Sequence, residues 1–306
     1  MILITGSSGF IGTHLKHFFN KNNINYITDQ KIKKSTYQKD YNWMSILKDI
    51  KVVIHLIGKA HNKTYTTKSN KKDFQNTNVK LTESLVRQSI KSGVTRFIYI
   101  SSVKVYGEKT DTTNGFSTES ITSPVNEYGK SKLEAENQIK ILTKNTTTDF
   151  TIIRLPLVYG PGVKSNFKFL IKVLESGIPI PLKNINNQRS ILSIHNLNDF
   201  IYKCINNPAA INQTFNLSDG TNISTNDLAK FISKALDNKG KMFYLPKNLV
   251  KFFLFSIGKK SIYNSLYESL ILDTSKSERL LDWHPKKNID FFIKETVESY
   301  LDEKIN

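Results

Sequence analysis

The first twelve residues constrain this chain more than any other segment. Met1-Ile2-Leu3-Ile4 is a short apolar run that stops at Thr5-Gly6-Ser7-Ser8-Gly9-Phe10-Ile11-Gly12. An apolar run closed by a glycine-rich turn reads as a strand buried on both faces, as in a parallel sheet. Apolar residues at helical spacing follow over residues 14–20. A glycine loop between strand and helix presents free helix N–H groups, and the positive end of the helix dipole, to an anion. Gly6 permits the tight turn, Gly9 lets the backbone approach a pyrophosphate, and Gly12 lets the helix pack closely on the strand. The loop predicts the start of a dinucleotide-binding βαβ unit.

The following pattern agrees with that start. Strands are predicted over residues 25–28, 52–57, 96–100 and 150–154, and helices over residues 77–93 and 128–142. Strands alternating with helices imply parallel pairing through crossovers, hence an α/β doubly wound sheet. After Pro156 the punctuation changes. Pro156, Gly160, Pro161, Gly162, Gly177, Pro179 and Pro181 mark loops and short elements. We therefore expect a dinucleotide-binding domain over residues 1–160, with return segments near 190–217. A smaller C-terminal α/β substrate domain is expected over residues 161–306. Residues 62–72, rich in Lys, Thr and Asn, read as a surface loop.

Composition removes several function classes. No stretch approaches the roughly 20 apolar residues needed to span a bilayer, so stable membrane insertion is not expected. The most apolar segment, residues 249–257, contains Lys251 and reads as a buried helix turn; its Lys-flanked aromatic character is the one feature that suits a membrane surface. The chain starts directly in a strand-like run with no basic segment before it, and its single cysteine, Cys204, fits a reducing cytoplasm. Cys204 sits among Phe200, Ile201 and Ile205 and reads as packing. The net charge is +18, but only five of the 44 basic residues are Arg, and the Lys residues are scattered, so no nucleic-acid partner is expected. The six His residues lack ligand spacing; His55, His61 and His195 read as structural, and no metal is expected.

Tyr128-Gly129-Lys130-Ser131-Lys132 carries the chemistry. Residues i and i+4 share a helix face, so the Tyr128 phenol and the Lys132 ammonium project together. A free phenol, with a pKa of about 10, is a poor base at neutral pH. A nearby cation, from Lys132 or a nicotinamide ring, favours the phenolate. Ser102, after the fourth strand, can hydrogen-bond the same substrate oxygen. Asp29 ends the second strand, 17 residues beyond Gly12, where a carboxylate suits the ribose hydroxyls of NAD. Lys31, Lys33 and Lys34 follow at once and could meet a 2′-phosphate, so NADP stays open.

These motifs resemble the extended short-chain dehydrogenase/reductase family, in its NAD-dependent epimerase/dehydratase branch. Glycines at relative positions 1, 4 and 7 begin the resemblance. Ser101-Ser102-Val103-Lys104-Val105-Tyr106-Gly107 resembles the branch's S-[ST]-x-x-VYG segment, which assigns the catalytic role to Ser102 rather than Ser101. Asn76-Thr77-Asn78, the stretch from Asn187-Gln188-Arg189 to Asp199, and Leu280-Leu281-Asp282-Trp283-His284-Pro285 resemble further segments. Residues 154–167, Ser218-Asp219-Gly220 and Ser224-Thr225 resemble a bacterial subgroup that reduces UDP-4-keto-6-deoxy-N-acetylhexosamines and is often labelled UDP-glucose 4-epimerase. The resemblance implies that Gly6, Ser8, Gly9, Phe10, Ile11, Gly12, Asp29, Asn42, Leu56, Ile57, Gly58 and Asn78, with Tyr128 and Lys132, contact the cofactor. It implies substrate contacts from Lys104, Asn166 and Arg189, with Asn166 and Arg189 on the diphosphate. A surface ion pair for Arg189 and a helix cap for Asn166 are the plainer alternatives.

One departure matters. Where 4,6-dehydratases of this branch place an Asp-Glu pair, this chain has Val103 and Lys104, which supply no carboxyl acid or base. The leading expectation is therefore reduction of a UDP-4-keto-6-deoxy-N-acetylhexosamine, for surface polysaccharide synthesis. The alternative is UDP-sugar 4-epimerisation, for which the same residues serve. A non-catalytic dinucleotide sensor is opposed by the intact Tyr128 and Lys132, and an RNA-binding role has only the charge behind it. A homodimer is left open.

Overall fold

The computed structural model describes residues 1–29, 41–60, 67–111 and 115–305. Its centre is a six-stranded parallel sheet in the order β2-β1-β3-β4-β5-β8. The strands are β1 (Ile2–Thr5), β2 (Tyr26–Thr28), β3 (Val52–His55), β4 (Arg96–Ser102), β5 (Asp149–Leu155) and β8 (Gln213–Asn216). A second, three-stranded sheet is formed by β6 (Leu157–Tyr159), β7 (Arg189–Ser193) and β9 (Asn222–Ile223). The sequence order reverses between β1 and β3, and ligands of such sheets bind beyond the strand C-termini at that point.

Helices cover the sheets: α1 (Phe10–Lys21), α2 (Met44–Leu47), α3 (Thr67–Phe74), α4 (Leu81–Lys91), α5 (Glu127–Thr143), α6 (Ser165–Glu175) and α7 (Ile194–Asn206). The C-terminal part adds α8 (Thr225–Ala235), α9 (Lys247–Ser256), α10 (Lys260–Tyr267), α11 (Ser275–Leu281) and α12 (Ile289–Ile305). No helix among the described residues is long and apolar enough to cross a membrane.

Two cores lie on the faces of the large sheet. One gathers Leu15, Phe19, Ile54, Ile98, Phe200 and Trp283; the other gathers Trp43, Val53, Leu85, Phe97, Ala135 and Ile139. A third core joins the small sheet to α6, α8 and α12. Phe10 packs against the first and the third, so the glycine loop sits where the two sheets meet. Each fully buried large apolar side chain contributes about 1.5–3 kcal/mol.

Several expectations shift. The helix predicted from residue 77 starts earlier: α3 runs into a π-helical turn, Gln75–Lys80, and then α4. The predicted loop over residues 62–72 is helical from Thr67 onward, and its residues 62–66, like His61, lie outside the described residues. The third strand ends at His55 instead of residue 57, because the chain must leave the sheet to pass the glycine loop. The largest correction concerns residues 249–257. Among the side chains of α9 only Val250 is buried, while Leu249, Phe252 and Phe253 are exposed.

Candidate active site

The glycine loop is held by sterics and by one carboxylate. A Cβ at Gly12 would meet the Gly6 carbonyl oxygen at 2.5 Å, so only glycine permits α1 to lie this close to the loop. Gly9 occupies the α1 N-cap with no side-chain cap, and Ser8 and Gly9 are exposed, so the helix start is open to an anion. Asp29 is buried and faces the loop. Its carboxylate accepts from Gly6 N at 2.5 Å, Ser7 N at 3.2 Å and Ser7 Oγ at 2.6 Å. The predicted ribose ligand is thus also a brace for the phosphate loop. Lys31, Lys33 and Lys34 lie outside the described residues. Asn42 is exposed, and its Oδ1 accepts from Met44 N at 3.0 Å, which starts α2.

Leu56, Ile57 and Gly58 leave β3 directly beside the loop: a Cβ on Gly6 would lie 2.8 Å from Ile57 N and from the Leu56 carbonyl carbon. The far end of this segment reaches the catalytic helix, since a Cβ on Gly58 would lie 3.4 Å from Lys132 Nζ and 3.6 Å from Asn78 Oδ1. Asn78 sits on the π-helical turn, a distortion that often marks functional sites. Its side chain accepts from Lys59 N at 2.8 Å and donates to the Lys59 carbonyl at 3.0 Å and to Ser131 Oγ at 2.9 Å.

Tyr128 and Lys132 project from the first turns of α5. Asn126 caps this helix, its Oδ1 accepting from Gly129 N at 2.8 Å. A Cβ at Gly129 would collide with the Lys104 carbonyl oxygen at 2.4 Å, so this glycine seats α5 against the 3-10 turn that follows β4. Ser101 and Ser102 face opposite ways, as consecutive strand residues must. Ser101 Oγ turns inward and donates to Glu136 Oε1 at 2.5 Å, while Ser102 Oγ accepts from Lys104 N at 3.3 Å and faces the Tyr128 phenol.

The electrostatics differ from the sequence expectation. Burial raises the Tyr128 phenol above its usual value, opposed by the Ser102 bond. Lys132 Nζ donates to the Ile100 carbonyl at 2.6 Å. Burial lowers the Lys132 ammonium to about 7, with Glu136 holding it up. His55 is neutral, lowered to about 3 by burial, and bridges Thr5 Oγ1 at 2.7 Å and Thr82 Oγ1 at 2.9 Å in a structural role.

On the substrate side, Arg189 lies on β7 and Lys104 on the turn after β4, close enough to repel each other. Arg189 Nη1 donates to the Glu268 carbonyl at 2.9 Å and the Asn264 carbonyl at 3.5 Å. Burial lowers Arg189 to about 10, and among the described residues no carboxylate offsets it. The plain surface ion pair is therefore absent, and a half-buried guanidinium is left to meet an anion. Asn166 is the second residue of α6 and exposed; the cap position belongs to Lys164, so the capping alternative does not hold. No described contact joins Asn166 to Lys104 or Arg189.

The sequence matches the family described as NAD dependent epimerase/dehydratase over residues 2–218. The chain belongs to this family. Its fold, its enzymatic class and its use of NAD follow from that membership. The chain is 36% identical to a UDP-glucose 4-epimerase of Vibrio cholerae, covering 98% of this chain and 95% of that protein. It is 25% identical to an N-acetyl-alpha-D-glucosaminyl-diphospho-ditrans,octacis-undecaprenol 4-epimerase of Escherichia coli O157:H7, over 80% of this chain and 75% of the other. A UDP-glucuronic acid 4-epimerase from Bacillus cereus, solved in complex with NAD, shares the fold with a TM-score of 0.77 at 21% identity, covering 99% of both chains.

Within this family frame, the sequence reading missed one group. Glu136 is fully buried and receives Arg154 bidentately, Nε to Oε1 at 3.0 Å and Nη2 to Oε2 at 2.6 Å. Arg154 Nη1 also donates to the Tyr106 hydroxyl at 2.6 Å, which donates to Asn216 Oδ1 at 2.9 Å. This network ties α5 to β4, β5 and β8 behind the catalytic residues. The available signal was spacing: Glu136 stands four residues beyond Lys132, on the same helix face. Asp199 likewise gains a structural role, accepting from Trp283 Nε1 at 2.7 Å. Among the described residues no cluster of His, Cys, Asp or Glu could hold a metal.

Proposed function

We propose that this enzyme interconverts the C4 epimers of a UDP-activated sugar. The observation that carries the reading is the convergence, beyond the ends of β3 and β4, of Ser102, Tyr128 and Lys132 with Gly58 and Asn78, together with a guanidinium, Arg189, that no carboxylate among the described residues neutralises. Tyr128 exchanges a proton with the C4 oxygen of the sugar, Ser102 holds the same oxygen, and Lys132 fixes the geometry from below. General acid–base transfer of this kind contributes roughly 10²–10⁴-fold. NAD, when bound, supplies a hydride acceptor and donor and a positive ring that favours the phenolate. Gly6, Ser8, Gly9, Phe10, Ile11 and Gly12 would hold its diphosphate. Asp29 would hold a ribose, and Leu56, Ile57, Gly58 and Asn78 would line the remainder. Asn42, exposed on the start of α2, is the least supported of these contacts. Arg189, Lys104 and Asn166 would hold the substrate diphosphate. On this reading residues 1–160, with the return near 190–217, serve the dinucleotide, and the remainder mainly serves the sugar nucleotide.

Epimerisation is preferred because the relative matching nearly the whole chain, at 36% identity, carries that activity in its name. Reduction of a UDP-4-keto-6-deoxy-N-acetylhexosamine, favoured from sequence, is the second reading. It keeps the support of residues 154–167. Both readings agree that the chain does not dehydrate, because Val103 is buried and apolar and Lys104 carries no carboxyl where acid and base would stand. Incubation with UDP-glucose, UDP-galactose and their N-acetyl forms separates the two. The epimerase reading expects interconversion with no reduced cofactor added. A requirement for a 4,6-dehydratase, with cofactor oxidised in step, would support the reductase instead.

A further inference from the structure

The apolar surface of α9 has no counterpart in the chemistry described above. Its inner side already has a partner, since Val250 is 6% exposed and Leu254 packs on the third core. Its outer side carries Leu249, Phe252 and Phe253, spaced three and four apart and 57%, 75% and 62% exposed. Phe255 and Ile257 extend the apolar surface toward α10. A helix apolar on both sides is either enclosed by protein or set against something as apolar as protein. Three large exposed side chains on one short helix exceed the scattered single residues normal on a surface.

The charges around this face are mainly cationic. From Lys239 to Tyr267 there are six Lys and no Asp or Glu. Glu268 follows at once and pairs with Lys247 at 3.5 Å, which leaves Lys251, Lys259 and Lys260 exposed beside the aromatic residues. Lys251 and Lys260 lie over the Phe255 ring at 5.6 and 5.8 Å. A second copy of this chain is a poor occupant, because it would bring an equally cationic face. The geometry points to a peripheral docking site for an anionic phospholipid surface: the aromatic side chains enter the acyl boundary and the Lys residues meet the phosphates. The surface lies next to the substrate side of the enzyme, since the carbonyls of Asn264 and Glu268, in and just after α10, hold Arg189. The proposal is independent of which sugar is turned over.

Flotation of the full-length protein with vesicles tests it. Phosphatidylcholine vesicles containing phosphatidylglycerol should carry the protein up, less so as salt rises; pure phosphatidylcholine should not. The triple variant Leu249→Ser/Phe252→Ser/Phe253→Ser should partition at least about tenfold less. Lys251→Glu/Lys259→Glu should lose binding too, and both variants should keep turnover of a water-soluble UDP-sugar. No enrichment on anionic vesicles would overturn the proposal, as would equal binding by the triple variant. If the triple variant instead converts a dimer to a monomer in sedimentation, the face is a contact between copies. If the Lys residues retain RNA without vesicle binding, the partner is nucleic acid. Either result also overturns it.

Discussion

Helices α5 and α9 use similar residues to opposite ends. Both combine apolar side chains with Lys. In α5 the cation at Lys132 is buried and held between the Ile100 carbonyl and the field of Glu136. In α9 the cations are exposed and the aromatic rings stand outward beside them. The difference teaches what fixes a Lys inside a protein. Two buried partners of the Glu136 carboxylate, Ser101 and Arg154, reach it from two neighbouring strands and make the α5 site rigid. Nothing comparable encloses α9.

The sharpest way to break the comparison is to remove the group that makes α5 rigid. Glu136→Ala leaves Arg154 as an uncompensated buried charge and should cost about 3–5 kcal/mol of stability, read from denaturant unfolding. A loss below about 1 kcal/mol would show that water or another group replaces the carboxylate. Next in size, Tyr128→Phe should lower kcat by at least about a hundredfold while NAD still binds, because only the proton-transfer step is lost. Near-normal turnover would take Tyr128 out of the mechanism. Asp29→Ala should weaken NAD binding by about tenfold, on the scale of one charge-assisted hydrogen-bond set, as measured by calorimetric titration. The unaltered enzyme should prefer NAD to NADP in the same titration. Tighter NADP binding would mean that the basic residues after Asp29 override its charge.

The legible parts were those where several constraints fell on one short segment. The β1–loop–α1 unit needs glycine at fixed places, and a Cβ at Gly12 would strike the loop backbone. The Tyr128–Lys132 pair follows from helical periodicity alone. Ser102 was distinguishable from Ser101 only by resemblance, and strand alternation explains why the two differ. What was illegible depends on where a segment sits. An apolar run such as residues 249–257 does not say whether its surroundings are protein or solvent, so its composition alone points to a buried turn where α9 is exposed. For Glu136 the spacing from Lys132 is the one local signal, and its partners, Arg154 and Ser101, come from β5 and β4, which no local pattern names. Asp29 was read as a ligand contact, and its bonds to Gly6 and Ser7 depend on how two strand ends meet.

Two smaller effects refine the contrast. Burial lowers Lys132 to about 7 from 10.5, so between those values the unfolded chain binds a proton that the folded protein lacks. This group's contribution to stability therefore rises with pH across that window and is constant below it. The melting temperature of the wild type should gain on that of Lys132→Met between pH 7 and 9; parallel curves would mean that Lys132 stays charged. On the other helix, Phe252→Ser should change stability by less than about 0.5 kcal/mol, since the side chain is 75% exposed. A larger loss would show that the ring is packed in solution.

The central claim is that Tyr128, Ser102 and Lys132 serve a reaction at C4 that begins and ends with oxidised NAD. The direct measurement is incubation of the purified enzyme with one UDP-hexose or UDP-N-acetylhexosamine, following both the sugar products and the nicotinamide absorbance. The account predicts that the C4 epimer accumulates to equilibrium with no net change in reduced cofactor, and that Tyr128→Phe abolishes this. Product that forms only from a 4-keto sugar, with one reduced cofactor consumed for each molecule made, would contradict it.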